Sequence, residues 1–188
     1  MQNKIGNLED FIKDGNKVTF IGESFPVNSE IRWSGAGNYI EIGEHVKFNK
    51  VRITFIGNNG KLIIGKKAFL RGFLVIGGDC MIDIGEDVFI NRVSDIRALE
   101  SCNVSIGRGC LFSDISIYTS DMHSVVNLSD DTRINNAQSI KIEENVWLAE
   151  LVRVSKGSLI GAGSIIGCLL YTSPSPRDLS TSRMPSSA

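Results

Sequence analysis

Between Ile142 and Ile166 every sixth residue is a branched aliphatic: Ile142, Leu148, Val154, Ile160 and Ile166. Four residues after each of the first four stand Val146, Val152, Ser158 and Ser164, all small or β-branched. An amphipathic helix spaces its apolar residues by three and four, and a half-buried strand alternates strictly, so a sustained period of six predicts neither. The frame recurs upstream in pieces: Ile64, Leu70, Ile76 and Ile82, then Ile84, Ile90 and Ile96, then Ile106 and Phe112, with Ala68, Cys80, Val88, Ser94, Cys110 and Ser116 at the fifth position. Glycine follows the aliphatic at Gly43, Gly65, Gly77, Gly85, Gly107, Gly161 and Gly167. A corner that needs a residue free of Cβ strain predicts such a column.

A short fixed period is the signature of a solenoid. Three six-residue sides close a triangular coil of about 18 residues, and stacked coils pair as parallel strands roughly 4.8 Å apart. One aliphatic per side points inward, so the core is a ladder and stability is a sum of coil-to-coil contributions. Successive corners at Ile42, Ile64, Ile84 and Ile106 lie 22, 20 and 22 residues apart, slightly more than one coil, and the next, at Ile142, comes after 36. The polar stretch around residues 120–138 accounts for that gap as a projecting loop. The expectation is an all-β parallel β-helix over residues 39–167. Residues 1–38 read as an N-terminal cap segment, with a short helix from Asn7 to Lys13 and a strand from Val18 to Ile21 that closes the first coil.

Composition narrows the partners. Hydrophobic residues make up 42% and charged residues 22%, with a formal net charge of -1, which points away from disorder and from general nucleic-acid binding. No apolar run reaches the roughly 18 residues of a membrane span, and the N-terminus lacks the basic-then-apolar order of a signal peptide. The expected location is cytoplasmic. Cys80, Cys102, Cys110 and Cys168 show no metal or disulfide spacing and read as free, mostly buried thiols.

From Cys168 onward the periodicity ends in a Ser- and Pro-rich stretch. Cys168 to Asp178 and Ser182 to Ala188 back-translate, in one frame, into DNA resembling the two ends of a transposase-library sequencing adapter. Residues 168–188 are therefore expected to be a non-native, disordered tail, with the natural chain ending its readable part near Gly167.

The motif [LIV]-G-x-x-[STAV]-x, carried from about Ile40 to Gly167, resembles the hexapeptide-repeat acyltransferase family. That resemblance implies a left-handed coil, against the right-handed rule for ordinary parallel crossovers. Within the family, the order Asp121-Met122-His123, Arg133-Ile134-Asn135, Val146-Trp147-Leu148 resembles the polysaccharide and sugar O-acetyltransferases. The implied activity is transfer of an acetyl group from acetyl-coenzyme A to a hydroxyl of a sugar or glycan precursor, by direct attack. The implied assembly is a homotrimer with active sites between subunits.

A sugar hydroxyl is a weak nucleophile near neutral pH, and an imidazole is the side chain suited to take its proton as the new C–O bond forms. His123 is thus the expected base. Asp121 is a candidate to hold the imidazole tautomer, although it reads equally well as a solvated loop acid. Trp147, Ala149, Lys156 and Ala162 are expected at the coenzyme, Lys156 against a phosphate. Ala149 stands where relatives often have glycine. Asn91, Arg133 and Asn135 are expected at the acceptor, or, for the last two, in orienting the loop. There is no G-x-S-x-G elbow, so no nucleophilic serine is implied. Relatives continue beyond this point with another coil and a basic segment, so the chain as written is expected to bind acetyl-coenzyme A poorly.

No metal is expected. The zinc carbonic anhydrases of the same fold need three histidine ligands, and only His45 and His123 are present, His45 at an outward, solvated position. The remaining rival is a non-catalytic, degenerate β-helix that serves as a scaffold or binding module.

Overall fold

The computed structural model describes residues 5–168; the expected foreign tail lies, but for Cys168, outside the described residues. The chain winds left-handedly through about seven coils of a triangular β-solenoid. One face is a seven-stranded parallel sheet, in order Lys17–Phe20, Tyr39–Ile42, Lys61–Ile64, Met81–Ile84, Val104–Ile106, Ile140–Ile142 and Leu159–Ile160. The second and third faces share one sheet, because Val46–Ile56 and Phe69–Gly77 run through the corner between them.

Register turns the repeat into a core. Ile42, Ile64, Ile84, Ile106, Ile142 and Ile160 stack in one column. Ile31, Ile53, Leu74, Ile96, Ile117 and Val154 stack in another. Nearly all are withdrawn from water; only at the last coil are Ile160 and Ile166 half-buried. The fifth-position residues Val46, Ala68, Val88, Cys110 and Val146 also point inward and are buried, being small enough to fit beside each corner.

The stack begins before the repeat does. Lys17–Phe20, Ser24–Val27 and Glu30–Ser34 together make a complete first coil, each strand paired in register with the next coil, although the segment carries a single branched aliphatic-glycine pair, Ile21-Gly22. The helix Leu8–Lys13 lies over its open end. Phe11 plugs the core there, wholly buried, with its ring 5.4 Å from Trp33 and 5.5 Å from Phe55.

The glycine column has a different cause from the one its corner position predicts. Gly43, Gly65, Gly85 and Gly107 do not have positive φ; a Cβ on Gly65 would come within 2.5 Å of the Glu86 amide nitrogen in the next coil, and one on Gly43 within 2.6 Å of Lys66. Close approach of coil to coil demands glycine here. The left-handed backbone falls two residues later, at His45, Lys67, Asp87, Gly109, Asn145 and Gly163.

Polar ladders pin each corner. Asn38 stacks on Asn16, with Asn38 N donating to Asn16 Oδ1 at 2.9 Å, and Asn38 Oδ1 in turn accepts from Gly60 N at 2.9 Å. The residue after Gly43, Gly65, Gly85 and Gly107, and after Glu143 at the next coil, alternates in sign, Glu44, Lys66, Glu86, Arg108 and Glu144, with ion pairs of 3.0 Å between Lys66 and Glu86 and 2.8 Å between Arg108 and Glu144. The last coil is shorter than the first ones: Ile40 to Leu62 spans 22 residues, Ile142 to Ile160 only 18. The 36 residues between Val104 and Ile140 hold one coil and the loop, pinched shut where Gln138 N donates to Thr119 O at 3.0 Å.

Candidate active site

The loop leaves the corner between the third and first faces, and buried hydroxyls fix its root. Thr119 Oγ1 accepts from Leu99 N at 2.8 Å and donates to Leu99 O at 3.1 Å. Ser120, also buried, donates to the Glu100 carboxylate, while its Oγ accepts from Met122 N at 2.9 Å. Arg133, on the returning limb, grips the same Glu100 with two bonds of 2.6 and 3.2 Å. Arg133 first and Ser120 second hold the Glu100 carboxyl below the usual carboxylate range.

Asn135 ties the two limbs together. Its Oδ1 accepts from Val125 N at 2.7 Å and Arg133 Nε at 3.2 Å; its Nδ2 donates to Asp121 Oδ2 at 2.9 Å and to the carbonyl of His123 at 2.8 Å. An amide offers two donors and two acceptor lone pairs, so its capacity is filled within the loop. Lys156, from the following coil, donates to Asp121 Oδ2 at 2.5 Å and to Asn135 O at 2.9 Å. Lys156 and then Asn135 lower the Asp121 pKa.

The imidazole of His123 stands exposed at the head of this network and has no hydrogen-bond partner among the described residues. The geometry thus gathers His123, Asp121, Asn135, Arg133 and Lys156 at one corner. Asp121 faces Lys156 and Asn135, and Lys156 is spent on the loop. Beside the loop root, Tyr118 lies between Arg97 and Arg153, whose guanidinium carbons are 5.2 and 5.0 Å from its ring centre, and its hydroxyl donates to Asp95 at 2.9 Å.

The other expected residues lie elsewhere. Trp147 projects from the second face, between Leu111 and Ile165 in register, and is half exposed. Ala149 is nearly buried just past it, and Ala162 N donates to Glu143 Oε2 at 3.1 Å. Asn91 is exposed at the corner between the second and third faces, next to the Arg92–Glu150 pair of 2.5 Å. The second face is opposite the corner that carries His123. Within one chain, base and tryptophan are therefore on different sides of the triangular prism.

Leu111, Trp147 and Ile165 form an outward apolar column along the axis, with the small Ala149 beside it. Lys156, already paired with Asp121, is not free for a phosphate as it stands. Among the described residues no three His, Cys, Asp or Glu side chains gather into a metal site, and no helix is long and apolar enough to cross a membrane.

No family model matches the chain. It is 29% identical over 144 residues to the polysialic acid O-acetyltransferase of Neisseria meningitidis, across 76% of this chain and 66% of that relative. Its fold matches the solved structure of the polySia-specific acetyltransferase NeuO with a TM-score of 0.67 at 27% identity, over 82% of this chain and 76% of NeuO. It matches the polysialic acid O-acetyltransferase OatWY with a TM-score of 0.54 at 26% identity, over 68% and 71% of the two chains. This chain is a homologue of the hexapeptide-repeat polysaccharide O-acetyltransferases. It spans about two thirds or less of the length of the curated relatives it matches.

Two members of the O-acetyltransferase homologue's loop anchor escape a reading of motifs. Glu100 and Ser120 belong to no D-x-H or R-I-N segment. Their 20-residue separation, one coil length, is the signal that would have brought them together.

Proposed function

We propose that the protein transfers an acetyl group from acetyl-coenzyme A to a hydroxyl of a glycan, with His123 as general base. The supporting observation is an exposed imidazole whose backbone is clamped by Asn135 at the head of a doubly anchored loop, in a homologue of O-acetyltransferases. Bound coenzyme supplies an activated thioester. The residues of this chain supply the rest. An acceptor hydroxyl next to His123 gives its proton to the free imidazole as its oxygen forms the ester bond, and the imidazolium returns that proton to the departing thiolate. Asp121, held as a carboxylate by Lys156 and Asn135, places a negative charge two residues from the imidazolium that forms. Backbone N–H groups at a coil corner are the available donors for the tetrahedral oxyanion.

The opposed positions of His123 and Trp147 support a site assembled from two copies. We propose a homotrimer, in which the second face of one copy meets the loop corner of its neighbour. Trp147 and Ala149 then line the pantetheine arm, and Asn91 and Arg133 are the nearest polar groups for the acceptor. A donor drawn from the acyl-coenzyme A pool and free thiols at Cys80 and Cys110 suit a cytoplasmic location.

Thiol release from acetyl-coenzyme A in the presence of oligosialic acid, the chemical class acted on by the N. meningitidis relative, tests the reading. His123→Ala should lower turnover by roughly a hundredfold to ten-thousandfold. Unchanged turnover in a variant that melts at the parent's temperature refutes it.

A further inference from the structure

On the first coils of the second face, away from the loop, His45, Lys47, Lys67, Phe69 and Phe89 line a shallow cleft of about 460 Å³. Its floor is aromatic: the Phe69 and Phe89 rings lie 4.8 Å apart and within 20° of parallel, stacked because their strands pair in register. Phe25 continues the row, with its ring 6.5 Å from that of His45. Phe25 and Phe89 are 45% and 44% exposed in the single chain, on coils that precede those carrying Trp147 and Ala149.

Its rim is cationic. Lys47 leads the Phe69–Phe89 column, Lys67 borders one side, and Lys50 and Arg71 stand at the next corner, between the register pairs Phe48–Leu70 and Val51–Gly72. None of these four has a carboxylate within ion-pair distance among the described residues. Glu44 lies 3.2 Å from His45, and Glu86 pairs with Lys66 at 3.0 Å. In a chain whose net charge is -1, four unpaired cations around an exposed aromatic floor are a local excess.

We infer that this cleft is a second, non-catalytic docking site for an acidic polysaccharide bearing carboxylates on successive sugar rings. A pyranose presents a face of polarised C–H groups that suits the electron-rich face of a phenyl ring. Its carboxylates suit the lysine and arginine rim. The repeat also suits it: functional groups recur once per coil, roughly every 4.8 Å, a spacing close to one sugar ring along a polymer. The inference rests on the glycan reading above and extends it. The acceptor is then a polymer held on these coils while another stretch of it, or of a neighbouring chain, reaches His123. Charge attraction across an exposed surface is screened by salt, so docking should weaken steeply as ionic strength rises.

Fluorescence anisotropy of end-labelled oligosialic acid and polygalacturonate, titrated with the protein at low salt, tests this. Both should bind, neutral dextran should not, and the Lys47→Glu, Lys67→Glu double variant should lose at least about tenfold in affinity, as expected for reversal of two exposed cations. Phe89→Ala should weaken binding with the same salt dependence, and the melting temperature of each variant reports that it is folded. Absence of binding to both acidic polymers, equal binding by the charge-reversed variant, or tighter binding of oligothymidylate than of either glycan overturns the inference. So does sedimentation of the charge-reversed variant as a smaller species than the parent, because the patch would then be covered by another copy. Binding that survives without any acetyl transfer defeats the proposed reaction and leaves the docking site standing. Acetyl transfer without binding at the cleft does the reverse.

Discussion

Asn135 holds His123 by its backbone and leaves the imidazole free: Nδ2 donates to the His123 carbonyl at 2.8 Å while the ring stays exposed. The chain from Val125 to Asn135, ten positions apart, is closed into a hairpin by the same side chain, through Val125 N at 2.7 Å. A base carried on a loop is useful only if the loop is stiff, and a misplacement of about 1 Å costs up to roughly a hundredfold in rate. Asn135→Ala should therefore lower kcat by about tenfold to a hundredfold and leave the KM for acetyl-coenzyme A unchanged. A steady-state assay that finds kcat intact would show that Asn135 does not position the base.

Lys156→Met should change the acidity at which the loop loosens. A carboxyl whose folded pKa is depressed adds stability that is present above its unfolded pKa and lost as pH falls through the folded value. Asp121 is depressed by Lys156 first and Asn135 second, so its anchoring persists from neutral pH down past the usual carboxylate range. Without Lys156 that loss should move to higher pH. Amide exchange of residues 121–137 across an acid series measures it, and an unmoved profile in Lys156→Met counts against the ion pair.

Two glycines should fail for two reasons. Gly65→Ala drives a methyl to 2.5 Å from the Glu86 nitrogen, so coils must separate, at a cost of about 1–3 kcal/mol. Gly163→Ala meets nothing within 4 Å but sits at φ +72, which costs roughly 1–2 kcal/mol in backbone strain. Urea unfolding of the two variants checks both. Because neighbouring coils lean on Gly65, its variant should also expose the strand Met81–Ile84 to exchange, whereas the Gly163 variant should not.

Asp83 is a cost that the fold carries. Burial, and then Glu41, push its carboxyl above the usual range. For an acid with a raised folded pKa the penalty appears as pH rises through the titration. Asp83→Asn should thus raise the melting temperature at neutral pH and leave it unchanged in acid. Melting temperatures at the two pH values decide it.

The core was legible because a solenoid writes its packing into a period. Ile64, Leu70, Ile76 and Ile82 read as inward from spacing alone, and all four are buried. The loop was legible as surplus length between Ile106 and Ile142. The first coil was not, because its strands Lys17–Phe20 and Glu30–Ser34 are held by pairing to a neighbour and by the Phe11 plug, without a repeat of their own. Motif order nominated His123 and Asn135 but could not say that Asn135 spends its whole amide inside the loop. Lys156 was expected to face a phosphate; its bond to Asp121 depends on a contact 35 residues away in sequence, which no local pattern carries.

The alternating corner of Glu44, Lys66, Glu86, Arg108 and Glu144 gives the stack a parity. Excising a single coil, or duplicating one, would set two like charges face to face at a seam. Excising or duplicating two restores the opposite-sign contacts. A solenoid of this kind can lengthen or shorten without electrostatic conflict only in even steps, so its reach is quantised by the sign of one side chain per coil.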